Sequence, residues 1–271
     1  MKISVTSWSF PACTLQESWN IAQALGISHI DIGLLHGASL DRGCVLNDPE
    51  TAAEQIRDMG ISAANLYWLF GETPQDRPLS DLTSIKQNMA DMSLVLRFAE
   101  ALKIPTIFLL PGVSAPGQSE SELLANSAKA LRSMVPMANS HGILLSIEPH
   151  VGGLLKSPDA CLKFVDDVPG LRLTLDYAHF NCMGFAQNEI DPLAKHAAHV
   201  HMRQSRPGAL QAKFAEGTLD FIAMVETLRS TGFDGFLSIE YVHQDYMNTL
   251  FDDVLTETIK MRNILQDCGA V

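Results

Sequence analysis

The chain has 271 residues, of which 46% are hydrophobic and 18% are charged, and its formal net charge at pH 7 is −12. This composition is typical of a compact protein with a sizeable core, and the chain lacks the run of roughly 18 apolar residues that a membrane-spanning helix needs. The acidic balance and the lack of a Lys/Arg cluster argue against nucleic acid as a partner, because proteins that hold phosphate backbones usually present a basic face.

Predicted strands and helices alternate along the first half of the chain. Strands are predicted over 2–7, 29–34, 61–66 and 105–110, and helices over 14–25, 48–59, 81–102 and 119–140. Thr14 and Asp48 are the N-cap residues of the first two helices, and Gly26 and Gly60 stop them. Pro136 lies inside the fourth helix and should kink it or shorten it.

The second half continues the same alternation. Strands are predicted over 143–148, 171–176, 199–203 and 236–240, and helices over 157–168, near 188–196, near 218–231 and over 248–267. Continuous apolar strands with helical crossovers imply a parallel sheet that is covered on both faces. Eight such units predict an α/β fold, a (β/α)₈ TIM barrel that forms a single domain over 1–271. An open doubly wound sheet is the alternative, but its glycine-rich fingerprint after the first strand is missing.

Four potential metal ligands stand at the ends of the last four predicted strands. They are Glu148, Asp176, His201 and Glu240. Active sites of TIM barrels lie at the carboxyl ends of the strands, and neighbouring strands are about 4.8 Å apart, so these side chains can converge on one ion. Three carboxylates and an imidazole suit one divalent ion, with Mn²⁺ as the first expectation and Mg²⁺, Co²⁺ or Zn²⁺ as alternatives. His199 lies one layer deeper than His201 on the same strand face, and we expect it in the core.

A metal at this position predicts a particular chemistry. The ion would polarise the carbonyl of a hydroxy-carbonyl substrate and stabilise an enediolate. One carboxylate would remove the neighbouring carbon-bound proton, and a second carboxylate across the pocket would return a proton.

Motifs in the C-terminal half carry a resemblance to a known family. They are Glu148-Pro149-His150, the pair Asp176-x-x-His179, His199-Val200-His201, the segment EGTLDF at 216–221 and the ending GFLSIE at 235–240. Together they resemble the sugar phosphate isomerase/epimerase group, the xylose-isomerase-like TIM barrels that include ketose 3-epimerases, hydroxypyruvate isomerase and inosose dehydratases.

The resemblance assigns roles to these residues. It implies a divalent metal held by Glu148, Asp176, His201 and Glu240. It also implies that Glu148 and Glu240 flank the substrate and move its protons, and that His179 contacts substrate oxygens. The implied activity is that of a metal-dependent isomerase or epimerase of a small sugar or keto-sugar derivative.

The chain departs from the best-known relatives at three positions. Leu154 stands where ketose 3-epimerases place a second glutamate, and Pro207 stands where they place a substrate arginine. Arg203 replaces the lysine of the common His-x-His-x-Lys-Asp motif, and a guanidinium binds a carboxylate or phosphate in a bidentate way. Arg203 therefore indicates an acidic sugar or sugar phosphate as substrate, and a salt bridge within the barrel mouth is the alternative.

Further substrate contacts are expected from residues near the other strand ends. Trp8 and Trp68 follow the first and third strands, where sugar sites often have aromatic walls, and packing under the loop at 71–80 is the alternative. His36 follows the second strand and His150 follows Glu148, so both are counted as substrate-binding candidates. A solvated loop histidine is the alternative for His36.

Other functions remain open at the level of the sequence. The same site would serve a lyase, a decarboxylase or dehydratase of a keto-sugar acid, and less favoured alternatives are an apurinic endonuclease and a barrel that only binds a ligand. The expected partner is a small sugar or sugar acid, without nucleic acid or membrane, and a homo-oligomer is left open. Because MKISVTSWSF lacks a secretory apolar region and the five cysteines form no C-x-x-C pair, we expect a cytoplasmic protein.

Overall fold

The structure, a computed structural model, describes residues 1–35, 40–244 and 253–271. Eight strands run in parallel and pair in chain order, and the last strand pairs with the first, which closes a barrel. They are β1 Lys2–Thr6, β2 Ile30–Gly33, β3 Ala63–Tyr67, β4 Thr106–Leu109, β5 Leu144–Ile147, β6 Arg172–Asp176, β7 Ala197–Met202 and β8 Phe236–Ile239. The predicted TIM barrel is therefore confirmed.

Helices cover the outside of this barrel in the described part of the chain. They are α1 Leu15–Ala24, α2 Arg42–Asn47, α3 Pro49–Asp58, α4 Ile85–Ala101, α5 Glu120–Ser140, α6 Pro158–Asp167, α7 Tyr177–Cys182, α8 Gln187–Ile190, α9 Phe221–Ser230 and α10 Val254–Asp267. Thr14 and Ser119 begin α1 and α5 with capping boxes, in which a serine or threonine and a glutamate satisfy free backbone N–H groups reciprocally. None of the described helices is long and apolar enough to cross a membrane.

Several helix boundaries differ from those predicted. Helix α5 continues through Pro136 to Ser140, so the proline does not shorten it, because buried neighbours such as Met134 and Ala138 hold the final turns. The helix predicted near 188–196 ends as an α-helix at Ile190, and a 3₁₀ turn that contains Pro192 continues it. The short helices α2 and α7 were not predicted, and residues 248–252 of the last predicted helix lie outside the described residues.

The strands present two different faces. Apolar side chains such as Ile32, Ile147 and Leu175 belong to the main core, which also contains apolar residues of the surrounding helices. Alternate strand positions carry buried polar groups, which are Ser4, Thr6, Asp31, Asn65, Thr106, Ser146, Thr174, Asp176, His199, His201 and Ser238. These polar groups bond to each other across neighbouring strands, as in Ser4 to Asp31 and Thr106 to Asn65. Because side chains alternate along a strand, this polar set shares the face that carries the predicted ligands.

Candidate metal centre

The structure brings the four predicted metal ligands together at the carboxyl ends of the last four strands. Asp176 ends β6, His201 lies near the end of β7, and Glu148 and Glu240 directly follow β5 and β8. All four are buried, and one ligand atom of each lies within 4.8 Å of the others. Convergence on a single point was the central expectation from the sequence, and the geometry agrees with it.

The donor atoms of this cluster fit a cation. His201 Nδ1 lies 2.6 Å from Glu148 Oε1 and 3.2 Å from Glu240 Oε2. Glu240 Oε2 is buried and accepts no hydrogen bond within the described structure, although His201 and Arg203 lie 3.2 Å and 3.3 Å away, so this oxygen is available as a metal ligand. Three carboxylate donors and an imidazole form a set that hard divalent ions prefer. The residues present therefore fit the metal that the resemblance implies.

Arg203 supplies a positive charge beside the same carboxylates. One guanidinium nitrogen lies 2.5 Å from Asp176 Oδ2 and 3.3 Å from Glu240 Oε2. With the three carboxyl groups ionised and His201 neutral, as metal binding requires, one guanidinium leaves two negative charges, which a divalent ion would balance. The salt bridge considered as the alternative role of Arg203 is therefore present, although the side chain also lines the cavity above the cluster.

Burial and mutual repulsion perturb the ionisation of the cluster. Burial raises the pKa of Glu148 to about 7, against the opposing effect of His201. Burial by itself would lower the pKa of His201, but the charges of Glu240 and Glu148 raise it well above its ordinary value. For Glu240, the attraction of Arg203 and His201 outweighs burial and holds the pKa below its usual range. Strongly perturbed groups around a concave site are typical of functional sites.

A second polar group supports His201 from below. Asp31 of β2 lies 3.4 Å from His201 Nε2, accepts a hydrogen bond from Ser4 Oγ at 3.0 Å, and contacts His199 Nε2 at 2.6 Å. With Nε2 directed at Asp31, the Nδ1 atom of His201 is the one directed at the metal position. His199 is fully buried one layer deeper, as expected. A carboxylate behind a ligating imidazole orients the ring and makes it a better donor.

Two hydrogen-bond donors flank the ring of His179. Val151 N–H donates to Nδ1 at 3.0 Å, and a guanidinium nitrogen of Arg203 lies 3.1 Å from Nε2. Burial and the charge of Arg203 lower the pKa of His179, which keeps the ring neutral. A neutral imidazole accepts at one nitrogen and donates at the other, so it can satisfy only one of these two donors. Asp176 Oδ2 lies 3.6 Å from Nε2, on the same side of the ring as Arg203.

A cavity of about 440 Å³ opens above the cluster. Its lining includes Glu148, Glu240 and four of the predicted substrate-binding residues, which are Trp8, His150, His179 and Arg203. Trp8 Nε1 donates to Glu240 Oε1 at 2.7 Å, which orients that carboxylate.

The two remaining substrate candidates are Trp68 and His36. Trp68 lies outside the lining of this cavity and packs in the main core instead, because it stands on the strand face opposite to Tyr67. His36 lies outside the described residues.

Sequence reasoning missed three residues of the site. Tyr67 and Phe108 line the cavity, and their rings stack with centroids 4.7 Å apart. Asp31 supports His201. The available signal for Asp31 was a carboxylate inside the apolar strand sequence IDIG, since a buried acidic residue is rare unless it is paired. For Tyr67, the sequence offered no clear signal. Tyr67 and Trp68 are neighbours, and only the register of β3 shows that Tyr67 faces the cavity and Trp68 does not.

A family comparison covers most of the chain. The family model described as xylose isomerase-like TIM barrel matches residues 19–261. This match confirms the resemblance that the C-terminal motifs predicted.

Individual relatives share only part of their length or a low sequence identity with this chain. An uncharacterised protein of Methanocaldococcus jannaschii is 31% identical over 129 residues, and the match spans only 44% of this chain and 44% of that protein. Among solved structures, a D-tagatose 3-epimerase-like protein is 20% identical with a TM-score of 0.73, over 99% of this chain and 97% of that chain. An IolI protein with a bound zinc atom is 16% identical with a TM-score of 0.73, over 99% and 98% of the two chains. At these identities the two structures establish likeness of fold.

Proposed function

Because the chain belongs to the family of xylose isomerase-like TIM barrels, we propose that it is a divalent-metal-dependent isomerase or epimerase of a small sugar or keto-sugar derivative. The observation that carries the proposal is the buried cluster of Glu148, Asp176, His201 and Glu240 at the floor of a cavity. The D-tagatose 3-epimerase-like neighbour supports the choice of reaction class.

Each residue of the cluster has a role in this proposal. Glu148, Asp176, His201 and Glu240 would hold one divalent ion, which supplies a Lewis acid that polarises a substrate carbonyl and stabilises the enediolate. Glu148 and Glu240 come from opposite sides of β6 and β7 and would move protons to and from the substrate carbon. The indole of Trp8 holds one oxygen of Glu240 and leaves the other directed into the cluster.

Two further residues would orient the substrate. His179 lines the cavity beside Arg203 and would contact a substrate hydroxyl or carbonyl oxygen. Arg203 would balance the charge of Asp176 and Glu240 and contact substrate oxygens from the cavity wall. Mn²⁺ suits the oxygen-rich donor set, and the zinc in the IolI neighbour makes Zn²⁺ the second ion to test.

Hydrogen exchange at carbon tests the proposal directly. The purified protein, loaded separately with Mn²⁺ and Zn²⁺, would be incubated in D₂O with a panel of ketoses and keto-sugar acids. We expect metal-dependent incorporation of deuterium at a carbon next to the carbonyl, followed by an isomer or epimer of unchanged skeleton. Glu240→Gln is the matched variant and should abolish exchange while the protein stays folded.

The outcome also decides between the reaction classes. Loss of water or carbon dioxide from a keto-sugar acid would replace the isomerase by the lyase alternative on the same site. If the metal-loaded protein exchanges no carbon-bound hydrogen and eliminates nothing from any member of the panel, the proposed chemistry is wrong.

A further inference from the structure

The cavity above the cluster has two chemically distinct sides. Its charged and imidazole side chains come from the loops and strand ends of β5 to β8, and they are Glu148, His150, His179, Arg203 and Glu240. The first four strands contribute aromatic rings instead, namely Trp8, Tyr67 and Phe108, which pack against one another. The polar and apolar sides therefore face each other across the metal position.

The apolar side continues outward to the mouth of the cavity. Besides those five side chains and the three rings, the described residues of the lining are Leu35, Pro74, Gln75, Leu110, Val113, Val151, Gly152, Leu210, Val242 and Gln244. Only two of these ten residues, Gln75 and Gln244, have polar side chains. Leu35, Pro74, Leu110 and Val113 are partly exposed in the free protein, so a ligand has apolar surface left to cover.

A free monosaccharide bound at the cluster would leave the outer apolar part of this lining uncovered. Each sugar hydroxyl that leaves water needs a hydrogen-bond partner, and an unpaired buried hydroxyl weakens binding. The outer part of the described lining offers few such partners. A cavity of about 440 Å³ also falls within the range of roughly 300–1,000 Å³ that accommodates ligands larger than a single sugar ring.

We propose that the substrate joins a hydroxy-carbonyl unit, which sits at the cluster, to an aromatic substituent, which covers the apolar side of the cavity. This inference rests on the proposed function, because the cluster must hold the hydroxy-carbonyl end. An aromatic substituent fits better than an alkyl chain because three of the residues that border the cavity are Trp8, Tyr67 and Phe108, and a further ring can pack against the edge of this aromatic group.

A matched pair of small ligands isolates the aromatic contribution. Hydroxyacetone and 2-hydroxyacetophenone carry the same hydroxy-ketone and differ by a methyl against a phenyl group. Calorimetric titration of the Mn²⁺-loaded protein should give an affinity at least about tenfold higher for the phenyl compound, because burial of the ring adds apolar area. Equal affinities would overturn the inference and leave the proposed function intact.

Failure of the proposed function gives a different result. If the metal-loaded protein binds neither compound, the cluster does not take a hydroxy-carbonyl group, and both proposals are wrong.

Variants of the cavity wall test whether the phenyl group binds at the apolar side of the cavity. Leu110→Asn and Val113→Asn place an amide in the apolar side, and each should reduce the ratio of the two affinities severalfold. Leu144→Asn is the matched control, because Leu144 is exposed at the opposite end of the barrel, and its ratio should equal that of the parent protein. A ratio that no cavity variant changes would place the phenyl group elsewhere and overturn the inference.

Discussion

Asp31 is the residue whose role is least visible in the sequence and most specific in the structure. Its carboxylate accepts hydrogen bonds from Ser4, contacts His199 and lies behind His201. Attraction by the two histidines overcomes the effect of burial and holds the pKa of Asp31 below its usual range. The group is therefore ionised and acts on the ring that the metal would use.

Replacement of Asp31 tests this positioning role. Asp31→Asn keeps the shape but removes the charge behind His201, and the affinity for Mn²⁺ should fall about 10- to 100-fold. Isothermal titration measures the affinity, and circular dichroism verifies the fold. Asp58→Asn, on the exposed end of α3, is the control and should bind like the parent. If Asp31→Asn is folded and its affinity for Mn²⁺ is unchanged, Asp31 has no positioning role in metal binding.

Protonation of Glu148 should oppose metal binding. Because burial raises the pKa of this carboxyl to about 7, a large fraction is protonated in the metal-free protein near neutral pH. A metal binds the ionised carboxylate of Glu148 and the neutral ring of His201, whose pKa is also raised, so its affinity should fall as the pH falls from about 8 to about 6, by at most about tenfold per unit for each proton displaced. Titrations with Mn²⁺ at several pH values measure this slope. Glu148→Gln should bind more weakly and with a flatter pH dependence.

At the scale of the element, the register of β3 decides which aromatic ring meets the ligand. Tyr67 is the last strand residue and lines the cavity, while Trp68 packs in the main core. Because successive side chains point to opposite faces, a shift of one residue would exchange the two rings. The sequence run Tyr67-Trp68 does not by itself state where the strand ends.

Two alanine variants separate these roles. Trp68→Ala should lower the free energy of unfolding by about 3–5 kcal/mol and leave the affinity for 2-hydroxyacetophenone nearly unchanged. Tyr67→Ala should weaken binding of that compound severalfold, because the ring is removed from the cavity wall. Chemical denaturation and calorimetry measure the two quantities. If Trp68→Ala is as stable as the parent protein but binds the compound more weakly, Trp68 contacts the ligand after all.

At the scale of the whole molecule, the buried cluster links metal binding to stability. The free energy gained from an ion that binds only the folded state is about 2.7 kcal/mol at 100 times the dissociation constant. For a chain of this size, that gain should raise the melting temperature by roughly 5–10 °C. Thermal unfolding with Mn²⁺ and with a chelator measures the shift. Asp176→Asn should lose most of the shift, whereas a shift of equal size in this variant would place the ion elsewhere.

The sequence alone predicted the architecture and the four residues that the structure brings together in the cluster. Eight alternating apolar strands and helices implied the barrel, and the polar residue at the end of each late strand implied convergence. These features are readable because strand and helix periods are local, and because parallel strands end at the same rim. The resemblance of the C-terminal motifs supplied the reaction class that is now proposed.

Only the tertiary structure decided how the site is completed. Asp31 is 168 residues from His199 in the chain, and closure of the barrel brings the two side chains to 2.6 Å. The ring of His179 contacts a backbone N–H 28 residues away, and the role of Tyr67 depends on the register of one strand. These contacts arise from packing between distant segments, and local sequence patterns carry no record of which distant groups will meet.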